Sequence, residues 1–194
     1  MTIQSVCVYC GSSNRVDGVY KEAALAVGTA LAEKKIHLVY GGGHVGLMGL
    51  VSDAVLAGGG TVTGIIPEHI RAHEMQHTGL TELIVVDDMH TRKNLMAEKA
   101  DAFVVLPGGF GTLDEVFEIL TWKQLGLHAK PVVFFNVHGF WNPAFQLIEH
   151  IIGNKFAPAD NHDLFASAGS IEDMFAALNA APPLPHTLEE KWGQ

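Results

Sequence analysis

The chain has 194 residues, of which 48% are hydrophobic, and 12 Lys and Arg against 21 Asp and Glu give a formal net charge of −9. This length and apolar content predict one domain, residues 1–194, with a substantial core. The negative charge argues against binding to nucleic acid or to an anionic membrane, because both need a basic surface. With no apolar run long enough to span a bilayer and no basic leader, the chain is expected to be soluble and cytoplasmic.

Short apolar runs alternate along the chain with longer amphipathic stretches. In chain order they predict a strand at 6–9, a helix at 19–33, a strand at 36–40, a helix at 47–57, strands at 61–66 and 83–86, a helix at 91–100, a strand at 102–106, a helix at 113–125, a strand at 132–135, and helices at 143–152 and 171–178. Strands separated by helices predict an α/β fold, a parallel sheet covered on both faces. The proline-rich residues 181–185 predict a tail that closes the domain.

A glycine loop at residues 107–112 joins the strand 102–106 to the following helix. Backbone N–H groups at a helix start point outward at the positive end of the helix dipole, where a phosphate binds. Gly108, Gly109 and Gly111 would allow positive φ angles and a close approach of the anion. If the helix begins at Thr112, Glu115 lies about one turn in and projects toward the ligand. The alternative is that Thr112 and Glu115 form a capping box that starts the helix.

Two further loops are predicted at the same edge of the sheet, because ligands bind beyond the carboxyl ends of parallel strands at the switch point. One contains Ser12 after the first strand, and the other contains Gly42 and Gly43 after the second. The glycine spacing from Gly43 onward only partly matches a dinucleotide fingerprint, and no acidic residue ends the next strand. NAD binding is therefore the minority interpretation.

A charged segment at residues 87–93 follows the strand 83–86 and opens the next helix. It places Arg92 and Lys93 in the first turns of that helix, where cations oppose the helix dipole. Their position indicates an anionic partner, and we interpret Arg92 as functional. The alternative is that both are solvated surface residues, which is a common situation for a lysine.

Two motifs suggest metal or redox chemistry but lack the necessary context. Cys7 and Cys10 form a C-x-x-C on a strand, where residues three apart face opposite sides of the sheet. A redox pair needs its first cysteine at a helix start. Residues 73–77 match the zinc-peptidase pattern H-E-x-x-H, yet they lie in a polar connection between two strands and lack a clear third ligand. We therefore expect no metal site, and a short surface helix at 73–77.

The glycine loop with its helix start, PGGFGTLDE at 107–115, is accompanied by MHTRK at 89–93, GGG at 41–43 and CGSS at 10–13. The combination closely resembles the LONELY GUY (LOG) family of cytokinin-activating phosphoribohydrolases, formerly labelled possible lysine decarboxylases, over about residues 5–178. The resemblance implies a Rossmann-like, flavodoxin-type parallel sheet with helices on both faces, and a homodimer. It also implies hydrolysis of the N-glycosidic bond of N6-modified adenosine 5′-monophosphates, or of AMP itself, to the free base and ribose 5-phosphate.

The chemistry of that reaction assigns roles to the motif residues. Cleavage passes through a ribose with positive charge at C1, which a carboxylate stabilises while it orients or deprotonates the attacking water. Glu115 is the predicted carboxylate. The resemblance marks Arg92 as essential and leaves three roles open: binding the 5′-phosphate, aligning Glu115, or stabilising the departing base. The predicted substrate-binding residues are Ser12, Gly42, Gly43, Met89, Lys93, Gly108, Gly109, Gly111 and Thr112.

Two other functions would use some of the same residues. Lysine decarboxylation needs pyridoxal phosphate on a lysine, and nothing around Lys93 or Lys99 marks a Schiff-base site, so we expect no cofactor. A non-catalytic carrier or sensor of nucleotides would need the glycine loop but no turnover.

The helix 113–125 with Trp122, and the aromatic pairs at 134–135 and 140–141, offer more aromatic surface than one face needs. This surplus favours a dimer interface. A core that buries all of these rings is the alternative.

Overall fold

The computed structural model of the protein describes residues 3–71 and 75–180. Within these ranges it has seven strands: β1 Ser5–Tyr9, β2 His37–Tyr40, β3 Val62–Pro67, β4 Glu82–Val86, β5 Ala102–Val105, β6 Val132–Phe135 and β7 Ala166–Ala168. All pair in parallel in one sheet of order β4-β3-β2-β1-β5-β6-β7.

The predicted α/β fold, a Rossmann-like parallel sheet with helices on both faces, is confirmed. The order is that of the dinucleotide-binding Rossmann sheet with one further edge strand, β4, rather than the shorter flavodoxin order. The direction in which successive strands are added reverses at β1, which lies between β2 and β5. The carboxyl ends of these three strands therefore meet at the switch point, and each leads into one of the three predicted loops.

Six α-helices cover the sheet in the described ranges: α1 Gly18–Glu33, α2 Leu47–Ala57, α3 Met89–Lys99, α4 Phe110–Gln124, α5 Asn142–Gly153 and α6 Ile171–Asn179. Short 3-10 turns occur at Glu68–Ile70, Val137–Gly139 and Ala159–Leu164. None of the helices in this part of the chain is long and apolar enough to cross a membrane.

The sheet separates two apolar cores. Val6 and Val8 of β1 join the core under α1, α2 and α6. Cys7 and Tyr9 point to the opposite face and join the core under α3, α4 and α5. This alternation follows from the two-residue period of a strand and confirms that the C-x-x-C cysteines face opposite sides.

Three sequence predictions need correction. Helix α4 begins at Phe110 rather than near Thr112, because Gly109 is its N-cap. Strand β7 was not predicted, since its three small residues give little apolar signal. Phe134, Phe135 and Trp141 are buried within one chain, so these rings supply core rather than the predicted surplus of interface surface. The predicted tail at 181–185 lies outside the described residues.

Candidate active site

A cavity of about 410 Å³ opens at the carboxyl ends of β1, β2 and β5. The predicted site residues that line it are Ser12, Met89, Arg92, Gly109, Gly111, Thr112 and Glu115. Gly42, Gly43, Lys93 and Gly108 lie outside the lining. Sequence reasoning missed Met48 of α2, Ile70 and Phe110, which also line the cavity. The first two resemble ordinary core residues in sequence, but Phe110 is 93% exposed at the cavity mouth.

Backbone hydrogen bonds hold the loops of the cavity together. Gly11 N–H donates to Pro107 O (3.0 Å), and Leu47 N–H donates to Gly11 O (2.9 Å). Asn14, which sequence analysis did not single out, accepts from Gly46 N–H through its side-chain oxygen (2.9 Å). A Cβ at Gly46 would collide with the backbone of Ser12, so only glycine permits this close approach. The three loops are therefore fixed relative to one another.

The start of α4 carries the expected anion-binding arrangement. Gly109 is the N-cap and makes no side-chain capping bond, and the helical ladder begins with Leu113 N–H donating to Gly109 O (3.0 Å). The N–H groups of residues 110–112 precede that bond at the positive end of the helix. The capping-box alternative is wrong, because Thr112 is the third helical residue and is only 3% exposed.

The glycines of this loop serve two different purposes. A Cβ at Gly108 would collide with Thr112, so this position is needed for internal packing. A Cβ at Gly109 or Gly111 would meet no atom within 4 Å. None of the three has a positive φ, which corrects one reason given for them from sequence. The open space at Gly109 and Gly111 agrees with the other reason, close approach of a ligand to the backbone.

Arg92 is a buried cation in the cavity wall. The side chain of Asp88 caps α3 by accepting from Thr91 N–H (2.7 Å), which places Arg92 in the first turn as predicted. Arg92 is 3% exposed, and its Nη2 donates to Gly41 O (2.9 Å). Its Nη1 lies 3.7 Å from Met89 Sδ. A Cβ at Gly41 would collide with the guanidinium, so the glycine loop after β2 makes room for this cation.

Glu115 lies in the second turn of α4 and faces the same cavity. Its charge also reaches Cys7 in the strand beneath. Burial first and then Glu115 raise the pKa of the Cys7 thiol well above its usual value, while Arg92 opposes the rise. Glu115 and Arg92 therefore act on one buried group below the cavity. Neither Cys7 nor Cys10 is in a disulfide, and burial raises the pKa of Cys7 and keeps it protonated, which disfavours a redox role.

Lys93 does not face the cavity, unlike its neighbour Arg92. Its Nζ lies 3.0 Å from Asp114 Oδ2 and 3.1 Å from Glu118 Oε2, both on α4. Burial would lower the pKa of Lys93, but its hydrogen bonds to these carboxylates outweigh burial and raise it. The solvated surface position considered from sequence is wrong, since the side chain is 9% exposed.

Gly42 and Gly43 lie outside the cavity lining and contact neighbouring segments of the chain. Gly42 has a φ of 77°, and a Cβ there would meet Ile66 of β3 at 3.2 Å. Gly43 forms an antiparallel bridge with Gln76. His77 N–H donates to Gly42 O (3.1 Å), so both glycines tie the segment before β4 to the end of β2.

The zinc-peptidase pattern is only partly within the described residues, since His73 and Glu74 lie outside them. Its last residue, His77, packs edge-to-face against His44 with ring centres 4.6 Å apart, and His77 Nε2 lies 2.8 Å from Asp53 Oδ1. His77 Nδ1 accepts from Gly79 N–H (3.0 Å), so the proton must sit on Nε2, facing Asp53. The ligand atoms of His44, Asp53 and His77 all lie within 4.8 Å of one another, and in this arrangement His77 is hydrogen-bonded to Asp53 and to Gly79 N–H.

Comparison with known proteins identifies the family to which the chain belongs. The model described as "Possible lysine decarboxylase" matches residues 48–178. The cytokinin riboside 5′-monophosphate phosphoribohydrolase of Rhodococcoides fascians is 46% identical over 180 residues, covering 92% of this chain and 91% of that protein. The corresponding protein LOG7 of Arabidopsis thaliana is 44% identical over 178 residues, covering 92% of this chain and 82% of its own length.

The chain belongs to the LOG family. The resemblance read from the glycine loop and the Arg-Lys pair is therefore confirmed. Among solved structures, this chain is similar to the molybdenum cofactor carrier protein of Chlamydomonas reinhardtii, with a TM-score of 0.69 and 21% identity over 91% of this chain and 96% of the other. At that identity, the likeness establishes the shared Rossmann-like fold.

Proposed function

We propose that the protein hydrolyses the N-glycosidic bond of N6-modified adenosine 5′-monophosphates, with AMP as a further substrate. Water and the nucleotide give the free base and ribose 5-phosphate. The observation that carries the proposal is that Arg92, Glu115 and the N-terminal N–H groups of α4 surround one cavity. Relatives named as cytokinin riboside 5′-monophosphate phosphoribohydrolases over most of this chain support it.

In the proposed complex, the start of α4 binds the 5′-phosphate. The backbone at Gly109, Gly111 and Thr112 supplies N–H donors, and the open space beside the two glycines admits the phosphate oxygens. Anchoring this non-reacting end uses binding energy to hold the ribose in position for attack. Ser12 and Met89 line the remainder of the cavity and contact the ribose or base.

Glu115 is the proposed catalytic carboxylate. It stabilises positive charge at C1 of the ribose and orients or deprotonates the attacking water. Arg92, buried beside Gly41, is the proposed catalytic cation. It binds the phosphate, aligns Glu115 or stabilises charge on the departing base. No cofactor is required in this scheme, because water is the only co-reactant.

A nucleotide carrier is the second candidate function, because the N–H groups at the start of α4 would serve binding without turnover. Substitution of Glu115 separates the two functions. We expect Glu115→Gln to keep AMP affinity within about 3-fold and to lose hydrolysis by at least about 100-fold, since it removes the charge but little volume. Chromatography of reactions with isopentenyladenosine 5′-monophosphate and with AMP measures release of base and ribose 5-phosphate.

The exposed Glu22→Gln on α1 is the matched control and should behave as wild type. If wild type hydrolyses the nucleotide and Glu115→Gln does so equally well, the catalytic role of Glu115 is refuted. AMP binding without any release by wild type would favour the carrier.

We further propose a homodimer in the cytoplasm. Two buried cysteines that form no disulfide suit a reducing compartment. The surface between α3 and the end of α4 contains a groove of about 280 Å³ lined by Trp122, Leu127 and His128, and Leu127 is 69% exposed. The lining combines apolar side chains with the polar Asn94, Glu98 and Lys130. An apolar centre with polar groups beside it suits a second copy of the chain. We propose this groove as the dimer interface in place of the aromatic pairs at 134–135 and 140–141, which the sequence analysis favoured.

We expect wild type to elute with twice the mass of the 20.9 kDa chain in light scattering, and Leu127→Asp to elute as a monomer. Leu147→Asp on α5, where the side chain is 50% exposed, is the control and should remain dimeric. A Leu127→Asp dimer would place the interface elsewhere.

A further inference from the structure

Asp114 is a carboxylate in the wall of the cavity to which the proposed function has given no role. It lies on α4 next to Glu115, lines the cavity, and its side chain is 60% exposed. Its Oδ2 accepts from Lys93 Nζ at 3.0 Å. Its Oδ1 makes no hydrogen bond within residues 3–71 and 75–180. One oxygen of Asp114 is therefore fixed to α3, and the other is available to a ligand.

Lys93 makes a carboxylate compatible with a cavity that binds an anion. Burial would lower the pKa of Lys93, but its hydrogen bonds to Asp114 and Glu118 raise it, so the side chain keeps its positive charge. That charge lies 3.0 Å from Asp114 and offsets the repulsion between this carboxylate and a bound phosphate. The same hydrogen bond restricts the rotation of the Asp114 side chain. Asp114 is thus an acceptor whose orientation is set before a ligand arrives.

The chemistry of a carboxylate oxygen limits what Asp114 can bind. It accepts hydrogen bonds and donates none, so its partner in a nucleotide is a hydroxyl or an N–H group and not the phosphate. In the proposed complex, the phosphate lies at the start of α4 and C1 of the ribose lies at Glu115. The hydroxyls on C2 and C3 are next to that carbon, whereas N6 is at the far side of the base. The ribose hydroxyls are therefore the donors closest to a carboxylate that adjoins Glu115 on the same wall.

We propose that Asp114 binds the ribose hydroxyls through Oδ1 and makes the protein select ribonucleotides over deoxyribonucleotides. The inference rests on the proposed function for the position of the nucleotide in the cavity. An acidic side chain on a ribose hydroxyl is a recurrent contact in Rossmann-like nucleotide sites. A hydrogen bond from a hydroxyl to a carboxylate is also stronger than one between neutral groups, which makes it an effective means of discrimination.

Binding at equilibrium tests the proposal with ligands that differ by one oxygen atom. Glu115→Gln is the parent protein, because it is expected to bind AMP without turnover. Calorimetric titration with AMP, 2′-deoxy-AMP and 3′-deoxy-AMP shows whether either hydroxyl contributes to affinity. We expect the parent to bind AMP at least about 10-fold more tightly than the weaker of the two deoxynucleotides, as for a hydrogen bond to a charged group.

Substitution of Asp114 in this parent should remove the preference. Asp114→Ala should weaken AMP binding by about 10-fold and the binding of the weaker deoxynucleotide by less than about 2-fold. Asp114→Asn keeps an oxygen acceptor without the charge, so the preference for AMP should fall to an intermediate value. This second variant decides the matter even if Asp114→Ala does not fold.

Glu118→Gln is the matched control in the same parent. Glu118 lies 3.1 Å from the same Lys93 ammonium, but it is outside the cavity lining. Its substitution therefore disturbs Lys93 and α4 without removing an acceptor from the cavity. The full preference for AMP should remain.

Equal affinities for the three nucleotides in the parent would overturn the inference, as would an unchanged preference in both Asp114 variants. Equal losses for all three nucleotides in Asp114→Ala, or loss of the preference in Glu118→Gln, would also overturn it and assign the effect to the helix packing around Lys93.

The proposed function is judged separately, by hydrolysis in wild type. If wild type binds AMP without hydrolysing it, the proposed function is refuted, while the deoxynucleotide series still decides the role of Asp114. If wild type hydrolyses AMP and the parent shows no preference for it over either deoxynucleotide, the inference alone fails. If neither protein binds AMP, both are refuted.

Discussion

Glycines only a few positions apart in the loop before α4 have different surroundings. Gly108 packs against Thr112, so a side chain there disturbs the protein itself. Gly109 and Gly111 border open space in the cavity, so a side chain there disturbs only what enters the cavity. Stability and ligand affinity should therefore respond to different members of one motif.

Gly111→Ala is expected to weaken AMP binding at least about 10-fold, because its methyl group occupies the space next to the anion-binding N–H groups. Its melting temperature should not fall, since alanine is favoured over glycine inside a helix. Gly108→Ala should lower the melting temperature through its collision with Thr112. Calorimetric titration and thermal unfolding measure the two effects.

Gly153→Ala, which meets open space at the end of α5, controls for the general effect of alanine. Unchanged AMP affinity in Gly111→Ala would contradict a phosphate at the start of α4.

At the scale of elements, the sequence predicts most strands and helices because their apolar periods are clear. Helix α2 and strand β6 match their predicted bounds. The start of α4 was placed too late, because Phe110 is followed by Gly111 and Thr112, which give no helical period. The error matters for mechanism, since it moves Thr112 from a cap into the first turn and Glu115 into the second.

Neighbouring residues on α3 illustrate what sequence cannot provide. Successive side chains on a helix diverge by about 100°. Arg92 accordingly faces the cavity and Gly41, while Lys93 turns toward α4. The motif predicted that cations stand at the ligand edge of the sheet, but the partners of Lys93 lie on another helix and follow no sequence spacing from it. The Asn14 contact with Gly46 was missed for the same reason.

The whole molecule is expected to lose stability in mildly acidic solution. His128 donates from Nε2 to Ile119 O (2.8 Å) and accepts at Nδ1 from Lys130 N–H (3.1 Å), so the folded chain holds this ring neutral. Burial lowers the pKa of His128 from its usual 6.5, and burial lowers that of His37 as well. The unfolded chain therefore takes up protons at a higher pH than the folded chain.

The contribution of these histidines to stability is therefore complete above about pH 7.5. It is lost as the pH falls from 6.5 toward the lower pKa values that the two histidines have in the folded chain. We expect His128→Gln to show a smaller decline in the free energy of unfolding between pH 7 and 5 than wild type, whatever its stability at pH 7. Urea unfolding at several pH values measures this. In the control His150→Gln, at an exposed position on α5, the free energy of unfolding should decline as it does in wild type. If it declined as much in His128→Gln as in wild type, His128 would not be a source of the acid sensitivity.

The division of the sheet into two faces has a practical consequence for protein engineering. The charged side chains of the cavity lining, Arg92, Asp114 and Glu115, all stand on α3 and α4. The helices of the opposite face, α1, α2 and α6, give the cavity a single side chain, Met48, and otherwise cover the core that contains Val6 and Val8. Heat tolerance can therefore be sought by redesigning the outer surfaces of α1 and α6, while the helices that carry the reactive charges are left in their original sequence.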